Sequence, residues 1–94
     1  MTAERLPDAE INVLLQSLDG WTRSGDAIER KLQFPSFLDA IAFIQRIAAH
    51  AEAADHHPEI FNVYDRVELR LTTHDADGLT SKDFALAHKI NESL

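Results

Sequence analysis

The chain has 94 residues and a formal net charge of −7, from 9 Lys plus Arg against 16 Asp plus Glu, which repels phosphate backbones and anionic bilayers and argues against direct nucleic-acid or membrane partners. A chain of this size buries roughly 60 to 65% of its unfolded surface, so one domain over residues 1–94 with a shallow pocket is expected. It has no cysteine for disulfides or thiolate sites, no run near the roughly 18 apolar residues of a membrane span, and no signal-peptide core in "MTAERLPDAE", all of which predict a soluble, cytoplasmic protein.

Residues 1–7 read as a frayed start. In "DAEINVLLQSLDG", Ile11, Leu14, Leu15 and Leu18 recur at the i, i+3, i+4, i+7 spacing of one helical face, with Asp8 as N-cap and Gly20 as the stop. The period then changes to two: Ile28, Arg30, Leu32 and Phe34 alternate with Glu29, Lys31 and Gln33, as on a strand with one buried face. Ser24, Gly25 and Asp26 supply the turn of a hairpin that starts at Trp21.

"PSFLDAIAFIQRIAAHAEAAD" predicts the longest helix, capped by Ser36 with Asp39 three residues on, its apolar stripe formed by Phe37, Ile41, Ile44 and Ala48 and widened by Phe43 and Ile47. "HHPE" ends it, because the residue before a proline avoids helical geometry. Phe61 and Val63, then Val67, Leu69 and Leu71, alternate on two strands around a turn at Asp65 and Arg66, and Tyr64 is expected to pack on the sheet. "DADG" forms a loop, and Thr80 with Asp83 opens a last helix bearing Phe84, Ala87 and Ile90. The predicted order is αββαββα, an α+β two-layer sandwich with a four-stranded antiparallel meander and three helices on one face.

Histidine gives and takes protons near neutral pH. His56 and His57 fall at the helix-to-strand junction and His74 at the end of the fourth strand, places that can share one end of a sheet, so three imidazoles are expected to converge. Glu52, one helical turn before His56, is the expected orienter of that ring, with Asp83 and Asp75 as candidates for His74. Thr80-x-x-Asp83 reads equally well as a capping box. His50 and His88 read as solvated side chains. By ligand type the three histidines and Asp75 would also suit a divalent metal, although no tight ligand spacing such as H-E-x-x-H occurs. A third reading is a non-catalytic module that docks another protein on its open sheet face or on its Phe-rich helix.

Taken in order, Glu52, three residues, His56-His57-Pro58, five residues, Tyr64, nine residues, His74, eight residues and Asp83 resemble the signature of the pterin-4a-carbinolamine dehydratases, known in animals also as a dimerisation cofactor of a homeodomain transcription factor. "GW" at 20 and 21, Phe34, Phe37, Ala40 and Phe43 leading into the long helix, and "NVYDRVELRLTTHDADGLTSKDFALA" extend the likeness over nearly the whole chain. The resemblance implies a carbon–oxygen lyase that dehydrates 4a-hydroxytetrahydropterin (4a-hydroxytetrahydrobiopterin) to quinonoid dihydropterin during tetrahydropterin recycling, with no metal and no organic cofactor. It also implies a pathway link to an aromatic amino acid hydroxylase and a homodimer or homotetramer. Carried over by position, His56 and His74 would be acid and base, His57 would hold the pterin together with Pro58 and Trp21, and Glu52 and Asp83 would support them; Trp21, a large aromatic at a strand start, reads equally well as core. All of these imidazoles are expected at the pocket rim, where their loss leaves the fold nearly unaffected.

Overall fold

Residues 3–94 are described by a computed structural model, and the elements run α1 (Asp8–Gln16), β1 (Thr22–Ser24), β2 (Ala27–Gln33), α2 (Phe37–Ala54), β3 (Glu59–Val63), β4 (Arg66–Leu71), one 3-10 turn (His74–Ala76) and α3 (Ser81–Glu92). The order and the α+β class are those predicted, and all neighbouring strands are antiparallel. The sheet is not a meander: its order is β1-β2-β4-β3. β4 takes the centre because Val67, Leu69 and Leu71 are all buried, whereas β3 has Ile60, Phe61 and Val63 exposed and occupies an edge. The two hairpins thus meet through their second strands, and α2 crosses over β4 to link β2 to β3.

Register partners share a face. Ile28 opposite Leu71, Arg30 opposite Leu69 and Leu32 opposite Val67 define the face that the helices cover, and Glu29, Lys31, Glu68 and Arg70 lie on the other. Arg30, on the covered face, sends its guanidinium to Asp19 O and Asn91 Oδ1, both at 2.6 Å. Gly20, at φ +84, lies against that group; a Cβ there would come within 2.5 Å of it, so the "GW" glycine gives the arginine room.

Several local expectations shift. α1 is preceded by Pro7 as N-cap, which leaves Asp8 in the first turn, where its carboxylate accepts from Arg23 at 2.9 Å; the helix ends at Gln16, well before Gly20. Leu6 N donates to Leu79 O at 2.8 Å and Arg5 pairs with Asp26, so these residues are tied down and not frayed, while Met1 and Thr2 lie outside the described residues. In α2 the buried stripe is Ala40, Phe43, Ile47 and Ala51, rotated from the predicted one; Phe37 and Ala48 are exposed and Ile41 and Ile44 half-buried, because the helix leans on α3 as well as on the sheet. Ser36 caps it as predicted, accepting from Asp39 N at 3.1 Å.

The end of α2 is set by a Schellman motif: His56 N donates to Ala51 O and Asp55 N to Glu52 O, with Asp55 left-handed at φ 49. Pro58 comes four residues after Ala54, where the helix has already stopped. At the second hairpin the two-residue turn is Tyr64 and Asp65, since Val63 pairs with Arg66, and Tyr64 stands 66% exposed at φ 52 instead of packing on the sheet. A left-handed bulky residue costs about 1 to 2 kcal/mol relative to its ordinary conformation. Tyr64→Gly should therefore stabilise the chain by about 0.5 to 1 kcal/mol, after the entropy of glycine is subtracted; a urea midpoint that falls would contradict the strain.

Candidate active site

Asp83, the third residue of α3, is completely buried, and a carboxylate in that position must be surrounded by donors. Its Oδ2 accepts from Thr80 N at 2.9 Å, closing the capping box, and from Thr73 Oγ1 at 2.8 Å. The Thr73 proton is thereby committed, so the 2.8 Å contact between the two threonine hydroxyls has Thr80 donating and Thr73 accepting. The remaining oxygen, Oδ1, accepts from His56 Nε2 at 2.6 Å. One side chain therefore serves both readings of the sequence, cap and ring orienter, but the ring it orients is His56 and not His74. With Nε2 donating, Nδ1 is the ring nitrogen of His56 left to accept a proton.

His57 Nε2 meets Glu52 Oε1 at 2.5 Å. Glu52 thus holds His57, and the expected pairing with His56 does not occur. The cause is the left-handed Asp55, which turns the chain off the helix axis, so that the i+4 neighbour no longer lies over Glu52 and the i+5 residue does. The two imidazole–carboxylate pairs differ in setting. His56 and Asp83 side chains are 11% and 0% exposed, whereas His57 and Glu52 are 55% and 78% exposed. His74 opens the 3-10 turn and has no side-chain partner among the described residues, Asp75 and Asp83 included.

His56, His57 and His74 line one cleft of about 210 Å³, walled also by Asp55, Thr72, Thr73, Asp75 and Lys82, all from one chain. The convergence follows from the register: Glu59 at the start of β3 faces Arg70 near the end of β4, which brings the α2–β3 junction beside the residues that follow β4. Trp21 does not line this cleft. It is buried in the core, and its Nε1 donates to Asn91 Oδ1 at 2.9 Å, eight residues and about 12 Å along α3 from Asp83. Pro58 also lies outside the lining. Among the described residues no three His, Asp or Glu side chains come together as metal ligands would. Thr73 and Lys82 belong to the site without having been singled out in the sequence, since neither stands in a recognisable spacing.

Comparison with known proteins places these observations in a family context. Residues 4–93 match the family model described as pterin 4 alpha carbinolamine dehydratase. A Roseiflexus sp. (strain RS-1) protein, provisionally named pterin-4-alpha-carbinolamine dehydratase, is 56% identical over 92 residues, covering 98% of this chain and 99% of its own. The crystal structure of a Brucella melitensis protein, described as a transcriptional coactivator/pterin dehydratase, superposes with a TM-score of 0.93 at 41% identity, over 96% of this chain and 98% of that one. A pterin dehydratase-like protein identified as a RuBisCO assembly factor in the alpha-carboxysome superposes with a TM-score of 0.65 at 20% identity, over 78% and 84% of the two chains, a likeness of fold alone.

The asymmetry between the two pairs has a measurable consequence. His56→Ala leaves a buried carboxylate oxygen without its donor and should cost about 2 to 4 kcal/mol of stability, against the expectation that all three histidines are dispensable to the fold. His57→Ala, at a solvated pair, should stay within about 0.5 kcal/mol of the parent chain. Equal denaturation midpoints for the two variants would refute this difference.

Proposed function

The chain belongs to the pterin 4 alpha carbinolamine dehydratase family, and on that premise we propose that it is itself a dehydratase, acting on a 4a-hydroxytetrahydropterin such as the biopterin form, in tetrahydropterin recycling in the cytoplasm. The observation that carries the reading is the convergence of His56, His57 and His74 on one cleft. Dehydration breaks the C4a–O bond, with the hydroxyl leaving as water once protonated. The N5 proton departs to a base, and the electrons of the N5–H bond form the C4a=N5 double bond of the quinonoid product. One general acid and one general base suffice, with no electrons supplied from outside.

His56 and His74 are the acid and base of this proposal, exchanging roles with the face of the 4a hydroxyl. His56 is the fixed one, since Asp83 holds its Nε2 and leaves Nδ1 for proton transfer. His74, exposed and without a side-chain partner, can pass its proton to solvent between turnovers. His57, steadied by Glu52, is the group that holds and polarises the pterin ring. Trp21 and Pro58 have no part in this proposal, because neither lines the cleft.

The proposed enzyme is a homodimer or homotetramer. β3 is an edge strand, and the exposure of Ile60, Phe61 and Val63 beside Tyr64 gives it the apolar character that a second chain would cover. A partner-binding role is the second reading, favoured by that same surface and by the coactivator designation of the Brucella melitensis protein; an aromatic amino acid hydroxylase would be its pathway neighbour.

Two measurements test these proposals. With freshly generated carbinolamine as substrate, His56→Ala and His74→Ala should each lower kcat/KM by roughly 10² to 10⁴, and should damage the two 4a epimers in opposite order. His88→Ala, on the exposed side of α3, should retain nearly full activity; full activity in both cleft variants would overturn the assignment. Sedimentation at micromolar concentration should show at least a dimer, and a strictly monomeric species would remove the oligomer from the proposal.

A further inference from the structure

A second hollow of about 350 Å³ runs between the C-terminal half of α2 and the outer side of α3. Its walls are mostly apolar, with Ala53 and Ala54 on one side and Ala85 and Leu86 on the other, and His50, half-buried and not a free solvated side chain, also lines it. It adjoins the histidine cleft, since His56 and Lys82 line both. Lys89 stands farther along, seven residues from Lys82 on the same helix and so about 10 Å along its axis.

The charge of this hollow is opposite to that of the chain. No carboxylate lines it, although the sequence has 16 acidic against 9 basic residues. Neither Lys82 nor Lys89 is ion-paired with a carboxylate among the described residues. An apolar trough about two helical turns long, with an unpaired ammonium at each end, complements a ligand segment that is apolar along its length and anionic at its tip. Since the trough adjoins the cleft at His56 and Lys82, a segment attached to whatever the cleft holds is placed to lie along it.

Resting on the pterin reading of the cleft, we infer that the groove between α2 and α3 receives the 6-substituent of the pterin, and that this protein favours pterins whose substituent is long, apolar in its middle and anionic at its end. Lys89 is the specificity-determining residue of this arrangement, because a short hydroxylated side chain ends near His56 and does not reach it. Lys82, shared by cleft and groove, contacts every pterin.

The test compares equilibrium binding of 7,8-dihydrofolate, whose substituent is p-aminobenzoylglutamate, with that of 7,8-dihydrobiopterin, whose substituent is a dihydroxypropyl chain, on the full-length protein. Dihydrofolate should bind about fivefold more tightly, the gain expected from one partly solvated charge contact. Lys89→Glu, which reverses the charge, and Ala85→Trp, which fills the trough, should each bring the ratio of the two dissociation constants to about one. Both substitutions are at exposed positions of α3, and thermal midpoints verify folding. A parental ratio of one, or a ratio that survives both substitutions, overturns the inference while leaving the dehydratase reading intact. If the parental protein bound neither pterin, the reading of the cleft would fail and the inference with it.

Discussion

The burial of the Asp83 carboxylate is the constraint on which the rest of the site depends. A carboxylate removed from water is tolerable only where donors replace its hydration, and here they come from three places: Thr80 at the start of α3, Thr73 just after β4, and His56 at the exit from α2. The farthest of these donors, His56, lies 27 residues from Asp83 in sequence. Each must be correctly placed before the carboxylate is satisfied, so the packing of α3 against the end of β4 and the orientation of the His56 ring form together. The N-terminal end of α3 adds its own dipole in the same sense.

One acidic residue thereby couples the packing of α3 to the orientation of an imidazole that lines the cleft. The His56 ring is positioned by groups the fold needs in any case, and its tautomer is fixed by the same bond that relieves Asp83. The other two imidazoles have no such obligation. His57 is steadied at the surface by Glu52, whose own carboxylate is largely solvated, and His74 projects from a short 3-10 turn without a side-chain partner. A site built from one rigid ring, one loosely guided ring and one free ring suits a reaction in which a single small molecule must be gripped while protons move at two of its atoms.

The sheet places this site and shapes what surrounds it. Because the hairpins meet through β2 and β4, β3 is left as an edge, and Glu29, Arg70 and Glu59 bridge the charged outer face of the sheet. The helical layer in turn leaves a trough where α2 and α3 diverge beside His56. The cleft lies at the α2–β3 junction and the trough between α2 and α3, whereas Phe61 and Val63 of the β3 edge share the outer face of the sheet with Glu68 and Arg66.

Local chemistry was legible in the sequence because it acts over three or four residues: the Ser36 cap, the Thr80–Asp83 capping box, the change of period from helix to strand at Trp21, and the grouping of His56, His57 and His74 at one end of the sheet. The pairings within the site were not. The i, i+4 rule assigned Glu52 to His56, and it failed because Asp55 goes left-handed and takes the chain off the helix axis before His56 is reached. Asp83 was matched to His74 by nearness in sequence, whereas its partner comes from across the fold. Trp21 read equally as pocket wall or core, and packing decided for the core, where its indole N–H donates to Asn91 at the far end of α3. Strand order was hidden for the same reason: periodicity tells which face of a strand is buried, and only competition among strands for the central position, won by β4 with its three buried aliphatic residues, decides which strand lies beside which. The sequence by itself determined the elements and the N-caps of α2 and α3, since these depend on neighbours along the chain. Tertiary structure decided the partners, because a buried donor or acceptor is satisfied by whichever group packing brings within 3 Å, whatever its distance in sequence.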